Sequence, residues 1–400
     1  MKTLFFTQLF PNSSSQVTGI FNLSRANALR RLGHTVQVIA PIGLTPPERL
    51  FFPYPKVNSI ISYVKERLSI SWKEKITGFL VYHPRWLSLP HKYFWVYDAD
   101  LLHFFAGRKI NKIIREFEPD IIITSWLHPY GTYAKFIKKK VNIPIISYAE
   151  GSDIFIWPDI YPGWSNIKML LERYVDRVIL ISNAMYQLNF QKRKIKNTKL
   201  IVDGYDEDIF YYFHKIQNKD YVNILSIGNL SVVKGHDILI KSLGYLGSNF
   251  SLNIIGDGPE KEKLINYVKS YNLQSRVNFI GQINHEHLRS FIEKSDIFCM
   301  PSRSDAQPAA ALEAMACGRP VVATNVGGFP YLIEPGFNGY LAEPESPESL
   351  AYYIEKAFAT KWDYKAIAEW TKENFGWEKS ITQLLKVINE EIRKYKGDFE

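Results

Sequence analysis

Short, almost continuous apolar runs recur along the chain, and most are followed by a stretch whose apolar positions fall at helical spacing. In the first half these runs are residues 4–10, 35–40, 120–125, 143–148, 177–181 and 199–202. In the second half they are 222–227, 252–255, 277–281, 296–300 and 321–324. Runs of Ile, Val and Leu without the alternation of a half-exposed strand predict strands buried on both faces, as parallel sheets require. Helical spacing is clearest at 20–32, 109–117, 285–294, 308–315 and in the closing stretch 377–396. Strand and helix in turn predict an α/β chain built on parallel sheets.

Residues 41–107 break this rhythm with many Pro, aromatic and basic residues. Within them, 56–82 interleaves Lys56, Lys65, Arg67, Lys73 and Lys75 with Ile60, Ile61, Val64, Leu68, Trp72, Ile76 and Phe79. That mixture predicts a basic amphipathic helix, suited either to an anionic membrane surface or to packing on its own domain. The chain of 400 residues is too long for one ordinary core. It predicts two domains of roughly 150–200 residues. The polar stretch 211–220 reads as the linker, so the expected division is 1–203, 204–376 and the closing stretch 377–400.

Composition narrows the function classes. An apolar share of 46% with 22% charged residues fits a globular chain rather than a disordered one. Residues 1–200 hold 28 Lys and Arg against 13 Asp and Glu, whereas 201–400 hold 21 against 27. The two halves therefore expect different partners, and a basic first half suits anionic lipid headgroups or an acidic acceptor. No nucleic-acid module is recognisable, so nucleic acid is not an expected partner. Cys299 and Cys317 both fall in buried-looking elements without metal-ligand spacing, which points to a reducing, cytoplasmic setting and no metal. Residues 1–10 are too short an apolar run for a signal peptide, and no run of about 18 apolar residues offers a membrane span. The turn after the first strand lacks G-x-G-x-x-G, which argues against a nicotinamide dehydrogenase.

The most chemically informative stretch is 296–324, a strand, a loop, a helix opening at Pro308 and a second strand. Unpaired amides and the dipole at such a helix start favour a phosphate. Asp305 stands in the loop, and Glu313 stands on a helix otherwise made of Ala, Leu and Met. A carboxylate so placed can accept hydrogen bonds from vicinal hydroxyls, as a ribose presents.

Asp305 followed by Glu313-Ala-Met-Ala-Cys-Gly-Arg-Pro-Val-Val-Ala323 resembles the acidic signature of the retaining glycosyltransferases of family 4. The first acid of that signature is more often Glu, and its following glycine pair is here Ala306-Gln307-Pro308. The resemblance implies the GT-B fold, with two Rossmann-like domains whose parallel sheets face a central cleft. The donor would lie on the second domain and the acceptor on the first, and the last helix would return to the first domain. Gly228-Asn229-Leu230 and Lys234-Gly235 match the family's phosphate-neutralising loop, except that Asn229 replaces an Arg. Arg303 is a candidate substitute for that charge. Gly256, Ile280 and Ala306 fall at donor-lining positions. Asp203-Gly204-Tyr205-Asp206 with Phe210 resembles the turn between the domains. In the first domain, Gly19 matches one of a glycine pair that approaches donor phosphates, or serves only the turn into its helix. His128 aligns with a histidine near the reacting centre; Glu150-Gly151-Ser152-Asp153 resembles a family stretch in which the Glu150 position is commonly His, and Glu150 and Asp153 at that strand end could meet an acceptor.

The implied activity is retaining transfer of a hexose from a UDP- or GDP-linked sugar to a glycan or lipid-linked acceptor, in polysaccharide or glycoconjugate synthesis. No cofactor or metal is implied, and His128, Lys234 and Asp305 are the expected catalytic residues. Alternatives are a nucleotide-sugar epimerase or phosphorylase, and an idle sugar- or lipid-binding scaffold, the last motivated by Asn229.

Overall fold

A computed structural model describes residues 1–16, 18–46, 57–89, 94–212 and 221–397. Lys56, at the head of the basic stretch, and most of the expected linker lie outside the described residues. The chain forms two compact units. One comprises Met1–Ile181, Met185–Val202 and Ile381–Glu400, and the other Ser182–Ala184 and Asp203–Ser380.

The first unit contains strands β1 (Lys2–Phe6), β2 (Thr35–Ile39), β3 (Ile42–Gly43), β4 (Lys73–Ile76), β5 (Phe79–Tyr82), β6 (Arg85–Trp86), β7 (Ile121–Ser125), β8 (Ile145–Ala149), β9 (Arg177–Leu180) and β10 (Thr198–Leu200). Eight of them make one sheet in the order β10-β9-β8-β7-β1-β2-β5-β4, parallel except for β4 against β5. The expected run 4–10 ends early, because the Thr7 hydroxyl accepts from the Leu9 N–H and turns the chain out of the sheet. Strand order reverses between β1 and β7, the place where open α/β sheets leave a crevice at their C-terminal ends.

Residues 56–82 are not one helix. A helix spans Val57–Ser69, and none of its residues is buried. The chain then forms the β4–β5 hairpin, where Thr77 and Gly78 both take positive φ, 46° and 87°. A two-residue turn with both φ positive matches the twist of a hairpin, and Gly supplies it at little cost. The helix expected at 109–117 starts earlier and runs Asp98–Phe117, burying Leu102, Ala106, Ile110 and Ile114 along one face. From Ile381 on, the closing helix Trp377–Lys396 belongs to this unit. It buries Leu384, Val387 and Ile388, and its Glu391 accepts from Arg177 at 2.5 Å.

The second unit is a single parallel sheet of β11 (Val222–Ile227), β12 (Phe250–Ile255), β13 (Val277–Gly281), β14 (Ile297–Met300), β15 (Val321–Thr324) and β16 (Gly339–Ala342), in the order β13-β12-β11-β14-β15-β16. Its switch point lies between β11 and β14. The loops leaving these two strands touch, since the Arg303 N–H donates to the Val233 carbonyl at 2.7 Å. Helix Ala309–Ala316 follows β14, with Ala311, Leu312, Ala314 and Met315 buried against the core.

Candidate active site

Close backbone approach shapes the switch point of the second unit. Gly235 has φ 65°, and a Cβ there would stand 2.0 Å from the Pro301 carbonyl oxygen. Gly256 has φ 145°, and its Cβ would stand 1.9 Å from the Gly228 carbonyl oxygen. Only glycine fits either place. The two contacts bring the turns after β11 and β12 and the end of β14 together.

Side chains from separate loops converge there. The Lys234 ammonium donates to Asp305 Oδ2 at 2.6 Å. The Lys234 side chain is about a quarter exposed, whereas that of Asp305 is largely buried. The Asp305 loop is held from behind: the Gly328 N–H donates to the Asp305 carbonyl at 2.8 Å. Three polar atoms of this region, His236 Nδ1, Ser302 Oγ and Gln307 Oε1, are buried without a hydrogen-bond partner. Buried polar atoms are seldom left unsatisfied, and each such atom calls for a partner such as water or a ligand.

Glu313 is 7% exposed on its otherwise apolar helix. His285 Nε2, at the start of helix His285–Lys294, donates to Glu313 Oε1 at 2.7 Å, and the imidazole packs edge-on to Phe210. Burial lowers the His285 pKa, but the hydrogen bond and charge of Glu313 more than reverse this, leaving it above its ordinary value. The hydrogen bond therefore favours the protonated ring and holds the Glu313 carboxyl group in a fixed orientation. Among the described residues no protein hydrogen bond reaches Glu313 Oε2, so one oxygen remains for a ligand hydroxyl. His285 was not singled out from the sequence. Its partner lies 28 residues away, and only the fold brings the two together.

Arg303, expected as a substitute for an Arg at 229, is engaged by other groups in this structure. Its guanidinium is forked onto Asp237 at 2.8 and 3.0 Å, bonds Glu345 at 2.6 Å and donates to the Val232 carbonyl at 2.6 Å. Two carboxylates already neutralise it, and it acts as a strap between loops. Asn229 lies against Gly258, where a Cβ would stand 2.3 Å from Asn229 Oδ1. Ile280 is half-buried at the end of β13, and Ala306 sits in the Asp305 loop against Gly328. Lys234, paired with one carboxylate where Arg303 is paired with two, is the less fully neutralised cation of these candidate donor residues.

In the first unit the expected residues are held more tightly than their proposed work requires. His128 is 1% exposed; its Nε2 donates to the Trp95 carbonyl and its Nδ1 pairs with the Thr132 hydroxyl, both at 2.7 Å. Burial lowers its pKa to about 4, so the ring is neutral near pH 7, with both nitrogens engaged. Glu150 is not open to an acceptor: it pairs with the fully buried Arg25 at 2.6 Å and accepts from the Ser125 hydroxyl at 2.7 Å. Asp153 is buried outright. Burial pushes its carboxyl up to about 7, opposed by N–H bonds from Leu127, Glu150 and Gly151. It braces the β8 loop. Gly19 has φ 68°, and a Cβ there would stand 2.1 Å from the Leu9 carbonyl, so chain packing alone requires a glycine.

Beside His128 lies a cavity of about 530 Å³ within this unit, walled by Trp86, Trp95, Trp126 and Trp157 and reached by Asp98. Sequence reasoning missed it, because its walls come from loops spread over the first half of the chain. Among the described residues no group of His, Cys, Asp and Glu is arranged to hold a metal ion.

Residues 19–206 match the family model described as Glycosyltransferase Family 4, and residues 210–374 match the one described as Glycosyl transferases group 1. An uncharacterized glycosyltransferase of Methanocaldococcus jannaschii is 33% identical over 287 residues, which is 70% of this chain and 79% of that protein. Among solved structures, sucrose-phosphate synthase from Thermosynechococcus elongatus superposes with a TM-score of 0.75 at 18% identity, covering 98% of this chain and 99% of that one. HepE from Anabaena, crystallised with UDP and glucose, superposes with a TM-score of 0.68 at 19% identity, covering 98% and 100%. The fold is GT-B, and the chain belongs to the group 1, family 4 glycosyltransferases.

Proposed function

We propose that this chain transfers a hexose from a nucleotide sugar to a glycan or lipid-linked acceptor with retention of configuration. The observation that carries this reading is the arrangement of Glu313 and Lys234 around one switch point. His285 orients Glu313 so that Oε2 can take a ribose hydroxyl. Lys234 has three N–H donors, and Asp305 occupies one, leaving two for a diphosphate. Charge grows on that diphosphate as the bond to the sugar breaks, and a fixed ammonium in a partly dry site stabilises it there. Asp305 positions the ammonium and borders the space where the sugar would lie. Attack from the same face as the departing phosphate, which takes the acceptor's proton, preserves configuration without a carboxylate nucleophile.

The test is incubation with UDP-, GDP- and ADP-hexoses and a panel of glycan acceptors, with the anomeric coupling of the product read by NMR. Nucleoside diphosphate release with an unchanged anomer supports the proposal, and an inverted product overturns the retaining part. The second reading, an idle sugar-binding scaffold, draws on Arg303. With that side chain neutralised by Asp237 and Glu345 and Asn229 uncharged, Lys234 faces the leaving group alone. Turnover that appears only in Asn229→Arg would favour the scaffold.

A lipid-linked acceptor would bring the protein to the cytoplasmic membrane face. Phe104, 80% exposed, and Phe105 share helix Asp98–Phe117 with Arg108, Lys112 and Arg115, which suits peripheral contact with anionic lipid. Binding to anionic vesicles should then weaken at moderate salt, and salt-independent binding would refute its electrostatic part.

A further inference from the structure

Helix Asp98–Phe117 buries Leu102, Ala106, Ile110 and Ile114 against the first unit. On its outward side Phe104, Arg108, Asn111 and Arg115 follow at steps of four, three and four, so they share one stripe along the axis. Phe104 is 80% exposed and Phe105 44%, and their rings meet edge-on at 5.1 Å. Further along the stripe, Arg108, Asn111 and Arg115 line a cavity of about 520 Å³ together with Lys140, and the buried Ile114 and Ile137 complete its wall. No acidic residue lines it. It shares no residue with the tryptophan-walled cavity, which adjoins the first residue of the same helix.

The cations of this hollow are not engaged. Among the described residues, Arg108, Arg115 and Lys140 have neither an ion pair nor a side-chain hydrogen bond. Their neighbours are taken: Lys112 pairs with Glu116, Lys135 with Asp100 and Lys138 with Asp176. Three unpaired cations around one hollow repel one another, and an anion seated between them removes that cost. Two guanidinium forks match the oxygens of a phosphate, and the Asn111 amide adds a neutral donor. A soluble phosphate would leave Phe104 and Phe105 standing in water, whereas a bilayer takes up apolar side chains where its head groups meet cations. We propose that this hollow seats the phosphate of an anionic glycerophospholipid head group, with Phe104 and Phe105 entering the bilayer beside it. A head group that carries its own ammonium sets that charge against the three cations, so phosphatidylglycerol is preferred to phosphatidylserine although the two have equal net charge. The proposal rests on the peripheral-membrane reading above and adds to it a discrete site that tells such lipids apart.

The test is co-sedimentation of the full chain with phosphatidylcholine vesicles doped with phosphatidylglycerol or phosphatidylserine at equal mole fraction. Nucleoside diphosphate binding is measured in parallel as the check on folding and on the second unit. Wild type should bind the phosphatidylglycerol vesicles several-fold more tightly, and inorganic phosphate should compete better than chloride at equal ionic strength. Arg108→Ser/Arg115→Ser should weaken that binding about 25-fold, at about fivefold per cation beside an anionic surface, and erase the lipid preference. Lys196→Ser/Lys199→Ser removes the same charge from exposed positions at and beside the edge strand β10, and should keep the preference. Phe104→Ser should weaken binding to both vesicle types and leave their ratio unchanged. All variants should bind nucleotide as wild type does. Equal binding of wild type to the two lipids, or equal losses in the two double variants, overturns the site and reduces the patch to diffuse charge. Phosphate binding by a wild type that ignores vesicles assigns the hollow to a soluble anion and overturns the lipid. A wild type that binds nucleotide but neither vesicles nor phosphate overturns the membrane reading together with the site.

Discussion

Replacing Glu150 by Gln discriminates between a residue that meets the acceptor and one that holds the first unit together. The Arg25 side chain has no solvent exposure and that of Glu150 has 5%, with a second contact between them at 3.3 Å. Arg25 also lies 4.0 Å over the Tyr148 ring and donates to Asn22 Oδ1 at 2.8 Å, so the charge cannot swing out to water. Removing one partner of a buried pair costs about 3–5 kcal/mol, because the remaining charge is uncompensated. Gln keeps the shape and one accepting oxygen, which places Glu150→Gln near the low end, about 3 kcal/mol. At about 2–4 °C per kcal/mol for a unit of this size, melting should fall by about 6–12 °C. The double variant Arg25→Leu/Glu150→Leu removes both charges and leaves Asn22 and Ser125 each short of a partner, a loss of about 1–3 kcal/mol. It should therefore melt above the single variant. The assay is thermal unfolding of the three proteins beside transfer rates at varied acceptor concentration. A Glu150→Gln protein that melts with wild type while its acceptor KM rises would refute the structural role.

Other outcomes follow from the same geometry. Lys234→Met should lower kcat by about 10²–10³, the usual loss for one donor to developing charge, and leave melting nearly unchanged; stopped-time nucleotide release measures it. Because His285 is raised above 6.5, its pairing with Glu313 stabilises fully below pH 6.5 and fades as pH rises through the folded pKa. The melting difference between wild type and Glu313→Gln should therefore be largest at acid pH, about 1.5–3 kcal/mol, and shrink in alkali. Burial holds His128 and His236 at about 4 against an ordinary 6.5, so the unfolded chain takes up protons first as pH falls. Stability should drop between those values, by up to about 3.4 kcal/mol for each histidine at about 1.36 kcal/mol per pH unit. Denaturant titrations at stepped pH read that slope.

The parallel strands were legible because strands buried on both faces leave continuous apolar runs, and the β14 unit announced its helix through Pro308. The β4–β5 hairpin was misread because basic residues masked the alternation that leads into Thr77-Gly78. Asp305, Lys234 and Glu313 were each legible as candidates because one short motif and one loop carry them. What pairs with them was not. His285 lies 28 positions from Glu313, Asp237 lies 66 from Arg303, and Arg25 lies 125 from Glu150. Local pattern holds no information on such separations. Glu150 looked like a ligand residue because strand ends in open sheets often supply them. Whether a carboxylate there faces solvent or a buried guanidinium depends on a helix folded long before it in sequence.

The central claim, that the second unit holds a nucleotide sugar between Lys234 and Glu313, is tested most directly by binding. Thermal shift and calorimetry with UDP-, GDP- and ADP-hexoses should be run on wild type, Glu313→Ala and Lys234→Met. One nucleotide series should stabilise wild type, with Glu313→Ala losing the response to nucleoside and diphosphate alike and Lys234→Met losing mainly the diphosphate increment. Equal stabilisation of all three proteins, or none of wild type by any donor, would contradict the account.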